Sequence, residues 1–200
     1  EAIIIPFNLR ENTAMSTPFP AGPKGPAAPK VNDIVGEIRK SEIQKIKVAI
    51  TDMDGILRGK YLHKEKFLSA VKSGFGFCNV VFGWDSHDVC YDNAAYTGWH
   101  SGYPDALVRL DLDTYRKVPW DNNVPFFLGD FEDGSAKPLP VCPRQVLKKI
   151  IRRMGKAGFL AKAGFEFEWF NFNETPQSWA EKKYISPEPL TPGMFGYSML

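Results

Sequence analysis

Apolar and polar positions alternate most clearly between Lys45 and Leu62. Ile46, Val48 and Ile50 alternate with Lys45 and Lys47, the two-residue period of a half-buried strand. Ile56 to Leu62 reads as the partner strand across Asp54-Gly55, a dipeptide suited to a tight hairpin turn. Ahead of this hairpin, Val31, Ile34, Val35 and Ile38 fall at helical spacing, with Asn32 and Asp33 as N-cap residues, so the pattern predicts a helix running to Gln44. Beyond it, Lys64 to Val71 reads as a helix. Cys78 to Trp84, Ala106 to Leu112 and Pro125 to Phe131 read as strands, separated by clusters of Gly, Pro, Asp and Asn. Pro143 to Lys156 is amphipathic, with Leu147, Ile150, Ile151 and Met154 on its apolar face. Leu160 to Phe172 is strongly β-prone and predicts one more strand. The class is α+β, a small mixed sheet with helices, and a new unit is expected after the loop Gly134 to Pro140. The chain shows no internal repeat.

Composition refines this picture in a few places. With 200 residues, 44% of them hydrophobic, the chain can bury a substantial core. Six of its 16 prolines lie before Val31, and proline removes amide donors and disfavours helix before it. Residues 1–30 are therefore expected to be a flexible Pro/Ala/Gly-rich arm, within which Met15 would serve as a natural start. A net charge of +2 gives no strong attraction to nucleic acid or to an anionic membrane. The face of the 143–156 helix opposite its apolar stripe carries Arg144, Lys148, Lys149, Arg152, Arg153 and Lys156. It has no interleaved stacking aromatics and is read as a solvated face. Cys78, Cys90 and Cys142 are odd in number and widely spaced, which favours neither a disulfide framework nor zinc. No apolar run approaches the roughly 20 residues of a membrane span, and the Ala2 to Phe7 stretch lacks the features of a secretion signal. The expectation is a soluble, cytoplasmic protein.

Candidate chemistry is concentrated in three places. In Gly164-Phe165-Glu166-Phe167-Glu168-Trp169-Phe170, two carboxylates two positions apart project from one face of a strand, their origins roughly 7 Å apart. Two hard-oxygen donors at that spacing suit a pair of Mg²⁺ or Mn²⁺ ions of the kind that clamp a transferring phosphoryl group. Phe170 and Phe172 continue the same face and point to a cleft, although an ordinary polar outer face is the competing reading. The second place, Thr51-Asp52-Met53-Asp54-Gly55, is also what a haloacid-dehalogenase-like phosphatase presents, with Asp52 as nucleophile, Asp54 as general acid, and Asp130 with Asp133 as the acidic pair. Ile56 replaces the threonine usual there, and no alternating strand and helix pattern follows, so a plain hairpin turn is the better reading. The third place is Trp84-Asp85-Ser86-His87, where His87 could contact a substrate. Trp84, Trp99 and Tyr103 are grouped around that region, His63 reads as a surface residue and Cys78 as a small buried hydrophobe.

The Gly164 to Phe170 run resembles the Gly-x-Glu-x-Glu strand that opens the catalytic domain of glutamine synthetases. Upstream, Gly76-Phe77-Cys78 through Val81-Phe82-Gly83-Trp84-Asp85-Ser86 is similar to that family's N-terminal substrate loop, and Thr97 to Pro104 with Arg109 to Asp113 to the region after it. Downstream, Pro192-Gly193-Met194-Phe195-Gly196-Tyr197 resembles the Pro-Gly and Gly-Tyr segment that follows the Glu-x-Glu strand. The resemblance implies a β-grasp-like N-terminal domain over 31–139 and the beginning of an α/β catalytic domain, left incomplete, over 140–200. It implies Glu166 and Glu168 as metal ligands, one for each divalent ion (Mg²⁺ or Mn²⁺), with ATP as co-substrate. The substrate's γ-carboxylate, that of glutamate, would attack the terminal phosphate, and ammonia or a small amine would displace phosphate from the acyl phosphate. Asp85 would bind and deprotonate the ammonium, Ser86 and His87 would contact substrate, and homo-oligomeric rings would place active sites between subunits. Ser86-His87-Asp88 stands where the ammonia-using pattern has Gly-Ser-Ser, which leaves the amine open. The family's members are over twice as long, so the chain by itself is expected to be inactive. A homologue that has lost catalysis and serves as a structural or binding protein is the alternative.

Overall fold

The computed structural model of the chain describes residues 4–6 and 31–190. Apart from Ile4–Pro6, the arm expected over 1–30 lies outside the described residues, as does the segment Pro192 to Tyr197. By its internal contacts the chain divides into a first unit, Ile5–Ala161, and a second made of Lys162–Leu200 together with Glu1–Ile4.

The first unit is organised by the hairpin that the alternation predicts. Leaving aside β1, Ile4–Pro6, strand β2 (Lys45–Thr51) pairs antiparallel with β3 (Leu57–His63), from Lys45 opposite His63 to Thr51 opposite Leu57. Gly55 occupies the left-handed region at φ 80°, which a side chain would resist. Helix α1, Val31–Lys40, takes Asn32 and Asp33 into its first turn and stops short of Gln44, where the Ser41 hydroxyl donates to the Ile38 carbonyl. Helix α2, Lys64–Ser73, starts directly after β3; the His63 ring accepts a hydrogen bond from the Glu65 amide as its N-cap. Strands β4 (Phe75–Cys78), β5 (Asp105–Val118) and β6 (Val124–Glu132) complete a five-stranded sheet of order β3-β2-β6-β5-β4. The pairing of β2 with β6 is parallel and every other pairing in the sheet is antiparallel, so the α+β mixed sheet expected from the pattern is present.

One face of the sheet carries the main core. Ile46, Val48 and Ile50 of β2, Val108 of β5, and Phe127 and Phe131 of β6 pack against Ile34 and Ile38 of α1 and Phe67 and Ala70 of α2. The Phe67 and Phe127 rings lie 4.9 Å apart between centroids. Each such fully buried large side chain contributes roughly 1.5 to 3 kcal/mol. The other face carries the smaller cluster Ala49, Val118, Val124 and Phe126 and, farther along β5 and β6, the carboxylates of Asp111 and Asp130.

Four expectations are corrected. The stretch Cys78 to Trp84 is not a strand: β4 ends at Cys78 and the chain coils into a 3-10 turn over Asn79–Phe82, because Val81 and Phe82 are drawn together into the core. Cys78 is only half-buried, its thiol donating to the Tyr103 carbonyl. Helix α3, Pro143–Lys156, forms where predicted but turns the other way. Arg144 and Lys148 of its basic side point to the sheet and bond Asp111 and Asp130, while Leu147 and Ile151 of the apolar stripe are 58% and 53% exposed. The strand expected over Leu160 to Phe172 is reduced to β7, Phe159–Ala161, paired with β1. A strand needs a partner edge for its amides, and among the described residues none pairs with 162–170.

The second unit, over its described residues, is a turn-rich segment. Phe172 bridges Pro189, and helix α4, Pro176–Glu181, is opened by a capping box of Thr175 and Ser178. The Glu174 carboxylate accepts hydrogen bonds from the Ser178 hydroxyl, the Lys182 ammonium and the Glu188 amide.

Candidate active-site loop

The loop that carries Asp85 begins at a fixed base. The Asn79 amide donates to the Pro104 carbonyl, and the buried Thr97 hydroxyl donates to the Asn79 side chain at 2.6 Å, so the two ends of residues 79–104 are tied together and the Asn79 end is held at buried positions. Gly83 lies against Thr97; a Cβ there would meet the threonine methyl at 2.7 Å. Trp84 then bridges Cys90 in antiparallel fashion, closing a small loop of residues 85–89.

Within that loop Asp85 is pinned by one oxygen. Its Oδ1 accepts from the His87 amide at 2.8 Å and the Val89 amide at 3.0 Å. These two amides, that of Val89 foremost, hold the carboxyl below its ordinary value, so it is ionised at neutral pH. Its Oδ2 makes no hydrogen bond among the described residues. The arrangement presents one free carboxylate oxygen on a rigid mount, suited to accept an N–H from a cationic amine and then its proton. Ser86 and His87 share the loop, both exposed, their side chains within 3.3 Å of each other. Trp84 packs beneath the neighbouring Arg58, Tyr103 is half-buried, and Trp99 stands out in solvent with its ring edge against Tyr103.

Asp52, and Arg58, which the sequence pattern did not mark, complete the setting. Asp52 is fully buried; its Oδ1 accepts from the Asp54 and Ile56 amides and its Oδ2 from Arg58 Nε at 2.7 Å. Both oxygens are thus committed to the hairpin turn, which removes Asp52 as a phosphatase nucleophile. Asp130 and Asp133 form no acidic pair either. Asp130 is bonded to Arg144 and Lys148, and Asp133 accepts from the Ser135 and Lys137 amides in a turn of its own. A signal for Arg58 was available in its place: it stands opposite Ile50 across the turn, on the core face near Asp52, where a lone cation needs a carboxylate.

Glu166 and Glu168 lie in the second unit. They sit in the exposed stretch without strand structure, between Phe165, which is 85% exposed, and Trp169. Their carboxylates are donors of the right kind for Mg²⁺ or Mn²⁺. Among the described residues, however, no three His, Cys, Asp or Glu side chains gather as a metal would require. The donor set fits in chemistry and not in number. No helix among the described residues is long and apolar enough to cross a membrane.

Comparison with known proteins gives these residues a context. No protein-family profile matches the chain. It is 50% identical over 167 residues, 84% of its length, to a type-1 glutamine synthetase of Dictyostelium discoideum. It is 36% identical over 172 residues to a glutamate-isopropylamine ligase of a Pseudomonas species. The chain spans 32% and 37% of the length of these two relatives. Among solved structures, a glutamine synthetase of Plasmodium falciparum matches 65% of the chain and 23% of its own, at 18% identity and a TM-score of 0.47. Identity of one residue in two across most of the chain is common descent, and the chain belongs to the glutamine synthetase family.

Proposed function

We propose that the full-length protein is an ATP-dependent ligase that joins the γ-carboxylate of glutamate to ammonia or a small amine. In this reaction a γ-carboxylate oxygen attacks the terminal phosphorus of ATP and ADP leaves. The amine nitrogen then attacks the acyl carbon, the C–O bond to phosphate breaks, and a proton passes from nitrogen to a base. The observation that carries the reading is the Asp85 carboxylate, ionised and fixed through Oδ1 with Oδ2 free, which is what binding and deprotonating an aminium requires. Ser86 and His87, next to it, are the residues placed to contact the amine's substituent. Kinship to both a glutamine synthetase and an isopropylamine ligase supports this acceptor class.

Glu166 and Glu168 are the residues that would hold Mg²⁺ or Mn²⁺, which when bound would neutralise charge on the transferring phosphoryl group. Residues 31–139 would form a β-grasp-like N-terminal domain, a reading supported by the parallel pairing of β2 with β6 and by the hairpin beside it; 140–200 would begin the catalytic domain. The reading includes a homo-oligomeric ring in which the Asp85 loop serves a neighbouring subunit. Three unpaired cysteines accord with a reducing cytoplasm.

The test is Asp85→Asn in the full-length protein. Amide formation is expected to fall by about two orders of magnitude or more, the scale of a general base, while glutamate-dependent acyl-phosphate formation falls less than about tenfold. Equal loss of the two partial reactions contradicts the role.

A further inference from the structure

Among the described residues, Arg58 is the one side chain that joins the β2–β3 hairpin to the Asp85 loop on three sides at once. Its Nε donates to the buried Asp52 at 2.7 Å, its Nη1 to the Asp88 carboxylate at 2.5 Å, and its Nη2 reaches the Asp85 carbonyl oxygen at 3.5 Å. Its guanidinium carbon stands 4.9 Å from the centre of the Trp84 ring, within reach of a cation–π contact. Asp52 cannot swing away, because its other oxygen holds two amides of the turn. The hairpin turn is itself tied to the base of the loop by the Met53 amide, which donates to the Val81 carbonyl. Asp88, at the other end, holds a left-handed backbone at φ 65°, a conformation that aspartate adopts more readily than most non-glycine residues. That turn brings the Val89 amide round to Asp85.

We infer that Arg58 is a positioning residue, held by Asp52, that fixes the Asp88 turn and so sets the Asp85 carboxylate for the amine. The inference rests on the proposed ligase reading for the word amine and on geometry alone for the clamp. The guanidinium does not touch the free Oδ2; it acts through Asp88, the Asp85 carbonyl and the Trp84 ring. Loosening the clamp should therefore weaken capture of the amine and leave ATP and glutamate alone.

Two variants test it: Arg58→Gln, which removes the charge, and Asp88→Asn, which is isosteric and accepts positive φ as readily as aspartate. Asp88→Asn leaves Asp52 and the hairpin intact, so it decides the matter even where Arg58→Gln folds poorly. In this 200-residue chain, hydrogen exchange at the His87 and Val89 amides is expected to quicken about tenfold in Arg58→Gln and about threefold in Asp88→Asn. The Ile56 amide, held by Asp52, keeps its rate in Asp88→Asn. Unchanged exchange at His87 and Val89 in Asp88→Asn overturns the clamp. In the full-length protein, KM for the amine is expected to rise about tenfold in Arg58→Gln while KM for ATP stays within twofold. An unchanged amine KM, with exchange quickened, overturns the role toward the amine. A wild-type protein without amine-dependent turnover overturns the ligase reading and leaves the exchange result to decide the clamp by itself.

Discussion

Single carboxylates in this chain are set to different tasks by the donors around them. Glu174 is the most strongly held: the Lys182 ammonium first, then the Ser178 hydroxyl and the Glu188 amide, bring it from an ordinary 4.5 to about 2. A depressed folded value means that its contribution to the 171–190 segment is complete above pH 4.5 and is lost as the pH falls towards 2. Carboxyl titration by NMR is expected to place Glu174 near 2, and a midpoint near 4.5 would show that the three donors do not hold it. Asp85 is shifted the same way chiefly by the Val89 and His87 amides, which keeps it charged without consuming its second oxygen. At this scale the sequence was partly legible. Asp85, Ser86 and His87 are chain neighbours, and their shared loop could be read from the residues themselves. Arg58 could not be placed so directly, because its partners lie 6, 27 and 30 positions away and only folding of the hairpin against the loop brings them together.

Elements were legible where one period dominated. The β2–β3 hairpin follows from strict alternation around Asp54-Gly55, and α2 and α3 from their apolar spacing. The facing of α3 was not, because the apolar stripe and the basic stripe both offered a side to bury. The sheet settles it with charge: Arg144 and Lys148, four apart on one helix face, meet Asp111 and Asp130 at distances of 2.5 to 2.7 Å. Burial would raise the Asp111 carboxyl, and the Lys148 and Arg144 hydrogen bonds outweigh it and lower it. Asp130→Ala should remove the better buried acceptor of this cluster. Because Arg144 and Lys148 are partly solvated, the expected cost by urea unfolding is about 1 to 2 kcal/mol, below that of a fully buried pair. A change under about 0.5 kcal/mol would mean that the ion cluster does not seat the helix. The residues 162–170 failed as a strand for the opposite reason: their β propensity is high, yet a strand is a property of a pair.

At the scale of the molecule, the order β3-β2-β6-β5-β4 joins the hairpin, with β3 at the sheet's edge, to the central strand β6 through a parallel pairing between β2 and β6. No local pattern encodes that pairing, since it joins strands more than seventy residues apart, as in Val48 opposite Phe127. What the sequence did carry at this scale was kinship, through motifs spread from the Asp85 loop to Glu166 and Glu168. The first unit then explains how the Asp85 loop is held, by a core beneath it and a buried carboxylate–guanidinium clamp beside it. The most direct test of the account is phosphate release from ATP by the full-length protein with glutamate and Mg²⁺, with ammonia and then small amines added one at a time. Release that depends on glutamate and rises at least about tenfold with one of these amines is the expected result. No amine-dependent release from a folded protein, across the whole panel, would contradict the ligase reading and leave a non-catalytic member of the family in its place.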